Sequence, residues 1–94
     1  MHGPQKKIVY IIRNDRDPSR HYTGITNDLH RRLERHNFGR YGTVAADPWS
    51  LVVSMEFPSE QKARAFEVYL KSGSGRAFAK RHFGSESAMS DEDQ

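Results

Sequence analysis

Ile8, Val9, Tyr10, Ile11 and Ile12 form an unbroken run of β-branched and aromatic residues. A strand is predicted over 7–13, and apolar residues at successive positions suit a central strand covered on both faces. Residues 14–19 are polar, with Asn14, two Asp and Pro18, and read as a turn. A second short strand follows over 21–26. So short a connection favours an antiparallel hairpin. Asn27 then stands at the expected N-cap of a helix running to about Phe38, with Asp28 complementing the helix's positive end and Gly39 as a stop. With Leu29 as origin and steps of 100°, Leu33 falls near 40° and His36 near −20°, an inward stripe. Arg32 falls at the stripe's edge, whereas Arg31 and Arg35 point to the far side.

After a loop over 40–48, residues 49–57 alternate as a third strand. Leu51, Val53, Met55 and Phe57 share one side. Pro58 ends this strand and Ser59 is placed to cap a second helix through Leu70 or Lys71. Helical stepping puts Phe66, Leu70 and Ala63 on one stripe, with Glu67 at its border. Ser72, Gly73, Ser74 and Gly75 break that helix. A short third helix is expected over 76–83, with Phe78 and His82 inward. The order β-β-α-β-α-α predicts an α+β fold: a small three-stranded sheet, antiparallel or mixed, flanked by helices.

Composition narrows the field. A chain of 94 residues has room for one small domain. It has no cysteine, which excludes a thiol nucleophile, a disulfide scaffold and cysteine-ligated metals, and suits a reducing cytoplasm. No apolar run is long enough to span a bilayer and no secretory leader is expected. Charge is unevenly placed. Residues 86–94 hold four acids and no Lys or Arg, so the rest carries 15 basic against eight acidic residues. The acidic end reads as a disordered tail over 84–94, and the basic body over 6–83 favours a polyanionic partner, nucleic acid first.

The polar groups near the inward faces are Tyr10, Tyr22, Arg32, His36 and Glu67. There is no nucleophile elbow, no phosphate-binding glycine loop and no zinc spacing among the histidines. One inward carboxylate is too few for a glycosidase pair. Phosphodiester cleavage can use such an inventory. One carboxylate with waters holds a hard divalent cation, arginine grips phosphate, and tyrosine or histidine takes a proton from water.

In these residues the chain resembles the GIY-YIG nucleases. Ile8-Val9-Tyr10 stands for the first motif and Tyr22-Thr23-Gly24 for the second. Arg32 and His36 lie four apart on the first helix, Pro48-Trp49-Ser50-Leu51-Val52 opens the third strand, and Glu67 with Lys71 lies on the next helix. The run 70–81 looks like the small stand-alone bacterial members. The nuclease domain of the excision-repair protein UvrC is a more distant relative. The resemblance implies a DNA endonuclease dependent on Mg²⁺ or Mn²⁺, acting on structured or branched DNA by a one-metal mechanism. It would make Glu67 the metal ligand, Tyr10 the favoured general base and Tyr22 a positioner of water or phosphate. Arg32 would stabilise the phosphate, His36 would support tyrosine or phosphate, and Gly24 would let backbone pass close to the site. Arg31, Arg35, Arg40, Lys71, Arg76 and Lys80 would track a nucleic-acid backbone. A nucleic-acid-binding module of the same fold that cuts weakly or not at all is the alternative.

Overall fold

The computed structural model describes residues 6–38 and 48–84. Arg40 and the acidic end over 85–94 lie outside them. Strand β1 (Lys7–Asn14) and strand β2 (His21–Thr26) form a hairpin, followed by helix α1 (Leu29–Asn37). Strand β3 (Trp49–Phe57) precedes helices α2 (Glu60–Leu70) and α3 (Gly73–Phe83). The sheet order is β2-β1-β3, and both pairings are antiparallel.

The apolar run occupies the central strand because both faces are covered. Val9 and Ile11 form one core with Ala63 and Leu70 of α2 and Ala79 of α3, and Val53, Met55, Phe57, Phe66 and Phe78 pack around it. Each fully buried aliphatic side chain contributes about 1.5–3 kcal/mol. Tyr10 and Ile12 point to the opposite face and are also fully buried. No helix among the described residues is long and apolar enough to cross a membrane.

The β1–β2 register matters most. Tyr10 pairs with Gly24 and Ile12 with Tyr22. Directly opposed residues share a face, and side chains alternate along a strand, so Tyr10 and Tyr22 emerge on the same side. The hairpin is held by Asn14, whose buried side-chain carbonyl accepts from the backbone N–H groups of Arg16 (3.0 Å) and Asp17 (2.9 Å).

Several local expectations are corrected. Asp28, not Asn27, caps α1: its carboxylate accepts from the Arg31 N–H at 3.1 Å. The Thr26 hydroxyl accepts from the Asp28 N–H at 3.1 Å and fixes this start. The register of β1 on β3 shifts between Ile11 and Ile12. This bulge breaks the alternation of β3, so Leu51 is exposed while Val52 joins the core side. Helix α3 begins at Gly73 rather than Arg76, because Ser72 caps it through the Gly75 N–H at 3.1 Å. Gly75 is buried, and a Cβ there would collide with the Tyr69 carbonyl, so a glycine lets α3 leave α2 at once. His82 is exposed, although its ring lies against Phe78 at 4.6 Å.

Candidate active site

The site is assembled on the sheet face opposite the α2–α3 core. β1 contributes Tyr10, β2 contributes Tyr22 and Gly24, and α1 contributes Arg32 and His36. The Tyr10 and Tyr22 ring centres are 6.1 Å apart, and Tyr22 and His36 are 5.0 Å apart. The Tyr10 hydroxyl lies 3.3 Å from Nε2 of His36. Gly24 makes the packing possible, since a Cβ there would stand 2.6 Å from the Tyr10 hydroxyl and 2.9 Å from the Tyr22 ring. The glycine thus gives room to both tyrosine rings, which lie over the backbone of β2.

Electrostatics give these groups distinct proton states. Burial pushes the Tyr10 phenol up to about 12, and the hydrogen bond from Arg32 pulls the other way. The charges of Tyr22 and Glu67 add to the rise, so the Glu67 carboxylate acts on Tyr10 from α2. His36 is held below its ordinary value, first by burial and then by the charges of Arg32 and Arg35. At neutral pH Tyr10 is therefore a phenol and His36 a neutral imidazole. A guanidinium only donates, so the Tyr10 oxygen accepts from Arg32, and Nε2 of a neutral His36 can take the Tyr10 proton when the imidazole carries its own on Nδ1.

Two adjoining cavities open beside this cluster. One, of about 340 Å³, is lined by Tyr22, Arg32, Arg35 and His36. The other, of about 220 Å³, is lined by Thr26, Asn27, Asp28, Arg31, Arg32 and Arg35. Arg31 and Arg35 are exposed, but they do not face away from the site: they share these cavities with Arg32. Arg76 and Lys80 are exposed on α3 and line neither cavity.

Glu67 is shielded, with 15% of its side chain exposed, and its Oε2 accepts from Lys71 Nζ at 3.0 Å. Among the described residues no group of three or more His, Asp or Glu side chains gathers at one point. A lone carboxylate fits a hard cation that completes its shell with water and phosphate oxygens, and does not fit a dedicated all-protein cage.

Two further residues shape the site. Asn37 follows His36, and its amide accepts from the Trp49 N–H (2.6 Å) and donates to the Trp49 carbonyl (3.0 Å). It closes the end of α1 onto the start of β3 as a strand neighbour would. Trp49 is half-buried at the site's edge, 6.2 Å from the His36 ring and under the Arg20 guanidinium. The signal for Asn37 was only its place beside His36, because an amide that clamps distant backbone leaves no periodicity.

An antiparallel three-stranded sheet with paired tyrosines, an arginine and a histidine converging on one face defines the class. Residues 6–82 match the GIY-YIG catalytic domain. The chain belongs to that family. It is 40% identical over 71 residues to the structure-specific endonuclease subunit slx1 of Talaromyces stipitatus, a match covering 68% of this chain and 18% of that protein. It is 35% identical over 89 residues to the structure-specific endonuclease subunit SLX1 of Candida dubliniensis, covering 86% and 30%. A UPF0213 protein of Vibrio parahaemolyticus is 35% identical over 65 residues, covering 67% and 59%. The chain thus spans less than two thirds of the length of each of these relatives.

Proposed function

We propose that the chain is a metal-dependent DNA endonuclease that hydrolyses phosphodiester bonds in structured or branched DNA. The observation that carries this reading is the contact between Tyr10 and a neutral His36, beside an arginine-lined cavity in a GIY-YIG domain. A phosphate seated in that cavity meets Arg32, whose planar donors match two of its oxygens. Tyr22 walls the same cavity and positions the attacking water. A phenol with a pKa near 12 takes up a proton only if it gives its own away. His36 is placed to receive it. As the water oxygen attacks phosphorus, its proton passes to the Tyr10 oxygen and the Tyr10 proton passes to His36 Nε2. The bond to the 3′ oxygen breaks, and that oxygen takes a proton from solvent, leaving a 5′-phosphate and a 3′-hydroxyl. Glu67 would hold Mg²⁺ or Mn²⁺, which when bound supplies positive charge to the phosphate and the leaving oxygen. Arg31 and Arg35 would carry the neighbouring phosphates in the second cavity, with Arg76 and Lys80 as outlying contacts.

The test is cleavage of single-stranded, duplex, flapped and branched DNA with Mg²⁺ or Mn²⁺, for the wild type and Glu67→Ala. Metal-dependent cutting that disappears in Glu67→Ala is expected, strongest on branched DNA. DNA binding without cutting on every substrate moves the assignment to a nucleic-acid-binding module. Cutting that survives in Glu67→Ala removes Glu67 from the site.

A further inference from the structure

Helix α2 carries two ion pairs of the same spacing and different character. Glu60 and Arg64 meet at 2.8 Å with both ends open to solvent, at 54% and 57% exposure. Glu67 and Lys71 meet at 3.0 Å, but the Glu67 side chain is 15% exposed and the Lys71 side chain 48%. The first is an ordinary surface pair, which contributes little. In the second the carboxylate has lost most of its water, and a desolvated charge requires a counter-ion. Lys71 supplies it from the C-cap of α2, on a half-exposed side chain of four flexible methylenes. The ammonium therefore occupies a carboxylate oxygen that a hard cation would take. Two cations at one oxygen repel strongly at this range.

We propose that Lys71 is a built-in stand-in for the metal at Glu67: the divalent ion displaces it from the carboxylate, and the freed ammonium moves to a substrate phosphate. This rests on Glu67 being the metal ligand, as proposed above. Shielding makes the pair useful when no metal is bound, because it balances a carboxylate whose charge acts on Tyr10. Displacement links the two ligands. The metal releases a cation that DNA can use, and DNA that holds the cation leaves Glu67 open to metal. By linkage, each ligand then tightens the other.

The experiment titrates Mn²⁺ into the whole chain without DNA, following free ion by electron paramagnetic resonance. The variants are Lys71→Met, Lys71→Gln, Lys71→Arg and Glu67→Ala. Lys71→Met and Lys71→Gln bind Mn²⁺ about tenfold more tightly than wild type, since a competing positive charge is gone. Lys71→Arg, which keeps the charge, stays near wild type. Equal affinity in wild type, Lys71→Met and Lys71→Gln, with binding lost in Glu67→Ala, overturns the proposal and leaves Glu67 as ligand. Undiminished binding in Glu67→Ala overturns both. A second arm measures binding of a branched phosphorothioate DNA against salt. Adding Mn²⁺ steepens the salt dependence of the wild type by about one phosphate contact and leaves Lys71→Met unchanged. The same steepening in Lys71→Met overturns the transfer of Lys71 to phosphate.

Discussion

The Tyr10 hydroxyl and His36 Nε2 stand 3.3 Å apart, although 26 residues separate them in the chain. One lies on the central strand and the other on α1. Burial acts on the two in opposite directions, raising the phenol and lowering the imidazole, because it disfavours the charged form of each. Both are thus neutral at pH 7, within reach of each other for proton transfer.

That arrangement sets a pH dependence at both ends. His36 has a folded pKa below its ordinary 6.5, so the unfolded chain binds more protons as pH falls. Its contribution is present above pH 6.5 and is lost as pH falls through the folded pKa. Tyr10 has a folded pKa of about 12 against 10.0, so the unfolded chain loses its proton first. Its contribution is present below pH 10 and is lost as pH rises towards 12, on the order of 2 kcal/mol. Urea unfolding across this range should show the alkaline loss in the wild type and a smaller one in Tyr10→Phe. An identical alkaline slope in Tyr10→Phe would contradict the assignment. Cleavage by Tyr10→Phe should fall by about 10²–10⁴, the usual worth of a positioned proton-transfer group.

Gly24→Ala tests the space beneath the tyrosines. The added methyl would stand 2.6 Å from the Tyr10 hydroxyl, so the ring must lift away from β2. A stability loss of about 1–3 kcal/mol is expected, as for other overpacked sites. Activity should drop further than stability explains, because the Tyr10–His36 contact opens. Wild-type melting and cleavage together would show that the rings have slack.

The clamp at Asn37 predicts a different pattern. Asn37→Ala leaves both polar groups of Trp49 without their side-chain partner, a loss of about 1–3 kcal/mol. His36 and Trp49 are then less fixed, so the tryptophan fluorescence should shift even in the folded state. Unchanged fluorescence and unfolding midpoint would reject the clamp.

Arg32 and Arg31 are neighbours with unequal duties. Arg32 is half-buried, bonds Tyr10 and lines both cavities; Arg31 is exposed and lines one. Arg32→Lys should lower kcat by at least about tenfold, since a point charge cannot replace a planar fork. Arg31→Lys should affect only the strength and salt dependence of DNA binding. Equal effects on kcat would mean that both touch the scissile phosphate.

Local pattern carried most of the architecture. The apolar run over Ile8–Ile12 marked the central strand, and Ser59 marked the start of α2, because burial on two faces and an N-cap hydroxyl are properties of a few adjacent residues. The order of motifs carrying Tyr10, Tyr22, Arg32, His36 and Glu67 was likewise legible in the chain. What periodicity could not supply was relation between elements. The exposure of Leu51 follows from a bulge that exists only once β3 pairs with β1. Asn37 acts on backbone 12 residues away, and the role of Gly24 appears only when two rings lie over it. Whether Tyr10 and Tyr22 share a face depended on hairpin register, where a slip of one residue would turn one ring to the other side. The sequence by itself determined which groups are available and which elements carry them. Tertiary structure decided their distances and proton states, because both depend on burial and on neighbours that come from elsewhere in the chain.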